Sequence, residues 1–266
     1  MIIIGERLNS SRRPVLEALR AVNEEYILRD ARAQHAAGAS YIDVNAAALL
    51  GREVETLKWI IPLLQRGVGA PLAIDTPNVE AMEAGLRLHE GQAVLNSLSG
   101  EARRLERLLP VIRERKPRVI VLCLDDAGMP DSSDKEVAIA QRMVDLLARE
   151  GTGPGDIFID PLVRPVATDE GAVRLFLESL EKIKQRLPDV PTVAGISNVS
   201  FGLPERKVLN RTLLMLALER GLDAAIIDPL DKDMLGASSS TDALLGRDPG
   251  LRRYLALMRK KKPRPA

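Results

Sequence analysis

The sequence predicts an α/β fold, a (β/α)8 barrel, on three observations. Eight short apolar runs, rich in β-branched residues, alternate with amphipathic stretches of helical length. No two of these runs read as a β-hairpin, so the strands are expected to lie parallel. Eight such units within 266 residues match one closed barrel better than an open, doubly wound sheet. A 45% hydrophobic content suffices for one large core, and no linker or shift in composition divides the chain. A single domain over residues 1–266 is therefore expected.

Taken in order, residues 1–5 (MIIIG) form the first strand, leading into Glu6, Arg7, Leu8 and Asn9. Residues 14–37 are helical with a break near Asn23, and Gly38, Ala39 and Ser40 turn the chain into the second strand, 41–45 (YIDVN). A helix over 53–65 precedes the third strand, 72–75 (LAID), and a helix over 78–89 precedes the fourth, 93–97 (AVLNS). A charged helix over 101–115 leads to the fifth strand, 118–124. A turn-rich loop, 125–133, follows; Asp134 is the expected cap of a helix whose face carries Val137, Ala140, Val144 and Leu147. The sixth strand, 157–160 (IFID), is entered through a turn at 151–155 and followed by a helix over 169–187. The seventh, 192–196 (TVAGI), runs into Ser197 and Asn198 and a helix from about Glu205, with Leu209, Leu213 and Leu216 at helical spacing and Gly221 at its stop. The eighth strand, 224–228 (AAIID), precedes helices over 231–245 and 249–259 and a basic tail, KKKPRPA, expected to fray.

Composition narrows the function. A net charge of +1 excludes a dominant nucleic-acid or membrane-binding surface. One cysteine, Cys123, excludes an internal disulfide framework and suits a reducing cytoplasm. The opening MIIIGERLNS is neither a signal peptide nor a membrane span. No Gly-x-Gly-x-x-Gly and no phosphate-binding loop is present. His35 and His89 fall on helices and read as surface positions; Cys123, inside a strand, reads as core.

Nearly every strand exits on a polar residue: Glu6 and Asn9, Asp43 and Asn45, Asp75, Asn96, Asp125 or Asp126, Asp160, Asn198 and Asp228. A barrel brings these ends to one face, where (β/α)8 enzymes carry their sites. Asp and Asn also cap helices and form turns after strands, and Asp43 and Asn45 could serve as supports or as turn formers. A set of carboxylates and amides with few cations argues against a phosphate-rich ligand. It could hold a hard divalent metal. It suits better a flat heterocycle with several N–H donors, such as the amino-pyrimidinone edge of a pterin.

The segments GERLNS, YIDVN, LAIDTPN, VLNSLSG, IFIDPL and GISNVSFGLP, with the later NRT and GLDAAI, resemble the pterin-binding methyltransferases in the same order along nearly the whole chain. That family includes methyltetrahydrofolate:corrinoid/iron–sulfur protein methyltransferase and the folate domain of cobalamin-dependent methionine synthase. The resemblance implies a barrel similar to dihydropteroate synthase, binding 5-methyltetrahydrofolate at its top. It implies that Asp75, Asn96 and Asp160 hydrogen-bond the pterin, that Gly195 and Ser197 line its pocket, and that Asn198 sits beside N5, the methylated nitrogen. It further implies a corrinoid protein as methyl acceptor or donor and a homodimer; with one Cys and two His, neither His at a strand end, no metal is expected to be bound by this chain. Arg206, in the first turn of a helix at the barrel top, could meet the glutamate tail of folate or the partner protein, or be only solvated. Dihydropteroate synthase carries a Ser-Arg-Lys motif after strand seven. Here the run is Ser197-Asn198-Val199, without the lysine, so methyl transfer is expected rather than synthase activity; a pterin carrier without turnover stays the alternative from another class.

Overall fold

Strands that are buried on both faces sort their side chains by alternation. In the computed structural model, which describes residues 1–261, the strands are β1 (Ile2–Asn9), β2 (Tyr41–Asn45), β3 (Leu72–Asp75), β4 (Val94–Gly100), β5 (Arg118–Asp125), β6 (Ile157–Asp160), β7 (Val193–Gly195) and β8 (Ala224–Ile227). Ile4, Tyr41, Ala73, Val94, Ile120, Phe158, Val193 and Ala224 pack together as an inner core, one residue from each strand. The intervening residues, among them Ile42, Val44, Leu72, Ile74, Leu95, Val119, Val121, Ile157 and Ile159, pack in a second cluster with the helices outside. Two residues beyond each inner-core residue, on the same face of the strand, come Glu6, Asp43, Asp75, Asn96, Leu122, Asp160, Gly195 and Ile226. The barrel interior is therefore apolar toward the amino ends of the strands and largely polar toward their carboxyl ends.

All strand pairings are parallel, in the order β6-β5-β4-β3-β2-β1-β8-β7. The two edge strands meet through a bridge between Ile159 and Thr192 and a hydrogen bond of 2.9 Å from Ile159 N to Pro191 O, which brings the ends of the sheet together. Register aligns Asn9 with Asn45, Asn45 with Asp75, and Asp75 with Asn96, so one polar row crosses four neighbouring strands.

The helices are α1 (Arg13–Arg20), α2 (Glu24–Ala36), α3 (Glu53–Gly67), α4 (Val79–Leu88), α5 (Ala102–Arg115), α6 (Ser133–Arg149), α7 (Ala172–Arg186), α8 (Arg206–Glu219), α9 (Lys232–Leu244) and α10 (Arg252–Lys261). Asn23 breaks the first helical stretch because its side chain accepts from Tyr26 N at 3.0 Å and starts α2. Asn78 and Asp231 cap α4 and α9 in the same way.

Several expectations are corrected. β1 runs on to Asn9 and β4 to Gly100, while β7 stops at Gly195, where a 3-10 turn (Ile196–Ser200) takes over. Asp134 does not cap α6; it lies in the first turn and pairs with Lys182 at 2.7 Å. The buried stripe of α8 is Leu213, Leu214, Ala217 and Leu218, whereas Leu216 is 44% exposed, because the helix turns its seam one residue from the expected one. His35 is exposed, but His89 is only 2% exposed and its Nε2 accepts from Leu72 N at 3.3 Å. Burial lowers the His89 pKa, which keeps the ring neutral for that role. Cys123 is buried, as its strand position implies. The basic tail begins at Lys260, and its residues 262–266 lie outside the described residues. Among the described residues, no helix is long and apolar enough to cross a membrane.

Candidate active site

The polar strand ends do not all converge. Asp125 is held by Arg142 Nη2 at 2.6 Å and by Ala127 N at 3.0 Å, and Asp126 accepts from Ala102 N at 3.1 Å, at the start of α5. Asn9 accepts from Ser11 N at 2.9 Å. Asp125 and Asp126 act as turn and helix-end formers, whereas Asn9, besides shaping its turn, lines the cleft at the ends of β1, β7 and β8. Asp228 is divided: one oxygen accepts from Leu230 N at 2.8 Å and the other from Arg7 Nη1 at 2.8 Å. Arg7 in turn grips Asp30 at 2.8 Å.

Most of the remaining residues form two groups at the barrel mouth. The first spans β2, β3 and β4. Asn96 Nδ2 donates to Asp43 Oδ1 at 3.0 Å, and Asn45 Nδ2 donates to Asp75 Oδ2 at 2.9 Å. Asn45 Oδ1 is itself fixed by Ser10 Oγ at 2.9 Å and Ala47 N at 3.1 Å. Burial, and then the charge of Asp75, hold the Asp43 pKa well above the carboxylate range. Of the pair, Asp43 is the carboxyl that its surroundings push further toward the protonated form. Asp75 is also raised, first by burial, although the hydrogen bonds from Asn45 and Asp43 favour its charged form. Asp75 and Asn96 stand in register on adjacent strands, and a carboxylate and an amide oxygen side by side are the acceptor types that a ligand edge with N–H donors calls for. Asp160 stands apart on β6, accepting from Leu162 N at 2.9 Å, and its pKa is raised to about 7 by burial.

The second group lines a cleft of about 550 Å³ at the ends of β1, β7 and β8, bounded by Glu6, Arg12, Ser197, Asn198, Phe201, Arg206 and Asp228. Asp75, Asn96 and Asp160 do not line it. Ser197 and Asn198 occupy the 3-10 turn, and a Cβ at Gly195 would lie 3.1 Å from Asn198 Nδ2, so the glycine leaves room for that amide. Arg206 opens α8 behind Glu205, which has φ 47°, and closes back over the turn. Its Nη2 donates to Ser197 O at 2.8 Å and its Nε to Ser200 Oγ at 3.0 Å. Ser197 Oγ donates to Glu6 Oε2 at 3.0 Å. The charge of Glu6 also reaches Asp43, and this joins the two groups across β1 and β2.

Two residues escaped the sequence reading. Glu6 stood among the strand ends without a role, although alternation from Ile2 and Ile4 already aims it inward. Arg104 carried no signal. Its guanidinium grips Ser97 O at 2.5 and 2.9 Å, Pro77 O at 2.8 Å and Thr76 O at 3.2 Å, pinning the residues that follow Asp75 and Asn96. Among the described residues, no group of three or more His, Cys, Asp or Glu side chains is placed to hold a metal ion.

A family model described as pterin binding enzyme matches residues 5–228. A methylcorrinoid:tetrahydrofolate methyltransferase of Eubacterium limosum is 38% identical over 264 residues, covering 98% of this chain and 97% of that protein. The methionine synthase of Mycobacterium tuberculosis is 30% identical over 241 residues, which are 85% of this chain but 20% of that enzyme. Among solved structures, Yersinia pestis dihydropteroate synthase superposes with a TM-score of 0.66 over 92% of this chain and 93% of that one, at 16% identity, a likeness of fold.

Proposed function

We propose, from the premise that this chain belongs to the pterin-binding enzyme family, that it transfers a methyl group between N5 of tetrahydrofolate and the cobalt of a corrinoid carried by another protein. The observation that carries this reading is 38% identity to a methylcorrinoid:tetrahydrofolate methyltransferase along nearly all of both chains. The absence of a lysine in Ser197-Asn198-Val199 favours it over dihydropteroate synthesis.

Three parts of the barrel mouth divide the work. Asp75, Asn96 and Asp160 accept from the N–H groups of the pterin, with Asp43, Asn45 and Arg104 holding the first two in place and Leu162 N the third. Gly195 and Ser197 line the pocket and Asn198 meets N5. N5 of methyltetrahydrofolate is a tertiary amine and a poor leaving group unless it gains a proton or hydrogen bond as its bond to the methyl carbon breaks. A reduced cobalt centre is a strong nucleophile, so the protein's share is positioning and electrostatic stabilisation. An Asn amide can accept from N5–H and donate to a bare N5, so it serves both directions.

The partner docks on the face that carries the strand-to-helix loops 8–13, 124–133 and 200–207. Leu50, Met129 and Phe201 support this placement: they are 90%, 61% and 68% exposed on the loops after β2, β5 and β7, at the same end as Asn198. The reading includes a homodimer, supported by exposed Leu244, Leu245 and Leu255 on and beside α9 and α10 and checked by sedimentation. It includes a cytoplasmic location, supported by the single buried cysteine. It needs no metal bound by this chain, so a chelator should leave the rate unchanged.

The deciding experiment is single-turnover methyl transfer between methyltetrahydrofolate and free cob(I)alamin. The wild-type protein should react, and Asn198→Ala should react about 10²-fold more slowly, by analogy with the loss of one oxyanion donor. Binding of methyltetrahydrofolate without any transfer would identify a carrier instead. Condensation of a pterin pyrophosphate with p-aminobenzoate would identify a synthase.

A further inference from the structure

Glu6 is a carboxylate with an unusual environment. It lies on the inward face of β1, and its Oε2 accepts from Ser197 Oγ at 3.0 Å, one residue before Asn198. Both residues line the 550 Å³ cleft. The charged groups that act on Glu6 surround the cleft. Asp228 after β8 opposes its ionisation, Arg12 before α1 and Arg206 at the start of α8 favour it, and Asp43 on β2 feels its charge in turn. Both arginines are occupied elsewhere, Arg12 Nη1 by Arg7 O at 3.0 Å and Arg206 by Ser197 O and Ser200 Oγ. Burial outweighs them and raises the Glu6 pKa to about 7.

Methyl transfer at N5 must move a proton. When tetrahydrofolate accepts a methyl group, the N5 lone pair forms the new N–C bond. The Co–C bond breaks with its electron pair remaining on cobalt, and the N5–H proton has to leave. In the opposite direction, the N–C bond breaks with its pair on nitrogen, and N5 gains a proton. Asn198 can hydrogen-bond in either state, but an amide cannot hold the transferred proton.

We propose that Glu6 is the group that stores this proton, exchanging it with N5 through the Ser197 hydroxyl. Ser197 Oγ accepts the proton from N5 while passing its own to Glu6 Oε2, and the reverse sequence delivers it. This assignment rests on the methyl-transfer reading above. It separates two jobs on one turn: Asn198 stabilises the charge at N5, and Glu6, across Ser197, takes up or supplies the proton. A group that titrates near working pH is suited to both directions.

The test is the pH profile of single-turnover transfer with free cobalamin, for wild type, Glu6→Gln, Glu6→Asp and Ser197→Ala, with tetrahydrofolate affinity measured for each. In the wild type, transfer from methyltetrahydrofolate should fall as pH rises through about 7, because it consumes the protonated form; transfer to tetrahydrofolate should rise over the same range. Glu6→Gln, nearly isosteric, should bind tetrahydrofolate normally, react at least about tenfold more slowly, and lose the inflection, whereas Glu6→Asp should keep an inflection. A Glu6→Gln protein with the wild-type rate and profile overturns the proposal. Should that variant fail to fold, Ser197→Ala decides: an unchanged rate and profile overturn the relay. A wild-type protein inactive at every pH would overturn the methyl-transfer reading, and the proton role with it.

Discussion

Gly195→Ala probes the placement of Asn198 without touching its chemistry. The backbone at Gly195 has φ −79° and ψ 89°, which alanine adopts without left-handed strain. The added Cβ would stand 3.1 Å from Asn198 Nδ2. Non-bonded heavy atoms are comfortable at about 3.5–4.0 Å, so the amide has to retreat by at least about 0.4 Å. A misplacement of about 1 Å can cost about 10²-fold in rate, so a retreat of this size should cost roughly threefold to tenfold. The melting temperature should hold or rise, because alanine narrows the unfolded ensemble by about 0.4–1 kcal/mol relative to glycine. Affinity for methyltetrahydrofolate should change little, since Asp75, Asn96 and Asp160 are untouched. The assay is stopped-flow single turnover with free cob(I)alamin, alongside titration of the folate. A folded Gly195→Ala protein that reacts at the wild-type rate would refute the claim that the position of Asn198 governs the chemical step. A fall in affinity without a fall in rate would place Asn198 on the recognition edge instead.

Asp160→Ala should raise the dissociation constant of methyltetrahydrofolate at least about tenfold, the loss of a charged hydrogen-bond acceptor costing more than about 1.4 kcal/mol. Because burial raises the Asp160 pKa to about 7 and an N–H donor calls for the carboxylate, affinity should weaken as pH falls below about 7. Calorimetric titration of wild type and Asp160→Asn across that range checks this, and Asp160→Asn should show a flatter response. Lys207→Glu should slow transfer with a corrinoid protein in a salt-dependent way and spare the rate with free cobalamin. Arg206→Glu should slow transfer to both acceptors, because Arg206 also holds the Ser197 turn.

The barrel was legible because its signal is local. Each strand announces itself within a few residues, as in LAID or IFID, and alternation alone orients Asp75 behind Ala73 and Asp160 behind Phe158. The family segments were equally local, so candidate pterin residues could be named from sequence. The ends and faces of elements were less legible: β1 continues to Asn9 through its pairing with β2, and α8 buries Leu213, Leu214, Ala217 and Leu218 while Leu216 faces outward. Tertiary structure alone sorted the polar strand ends. Asp126 was drawn off to Ala102 and Asp228 to Arg7, while Asn96 met Asp43 from 53 residues away and Ser197 met Glu6 from 191. No window of sequence contains those pairs, because register and barrel closure create them. The same closure sets the proton affinities of Glu6 and Asp160: burial is the largest cause of both shifts, and the walls that take water from these carboxylates are brought up from strands remote in the chain.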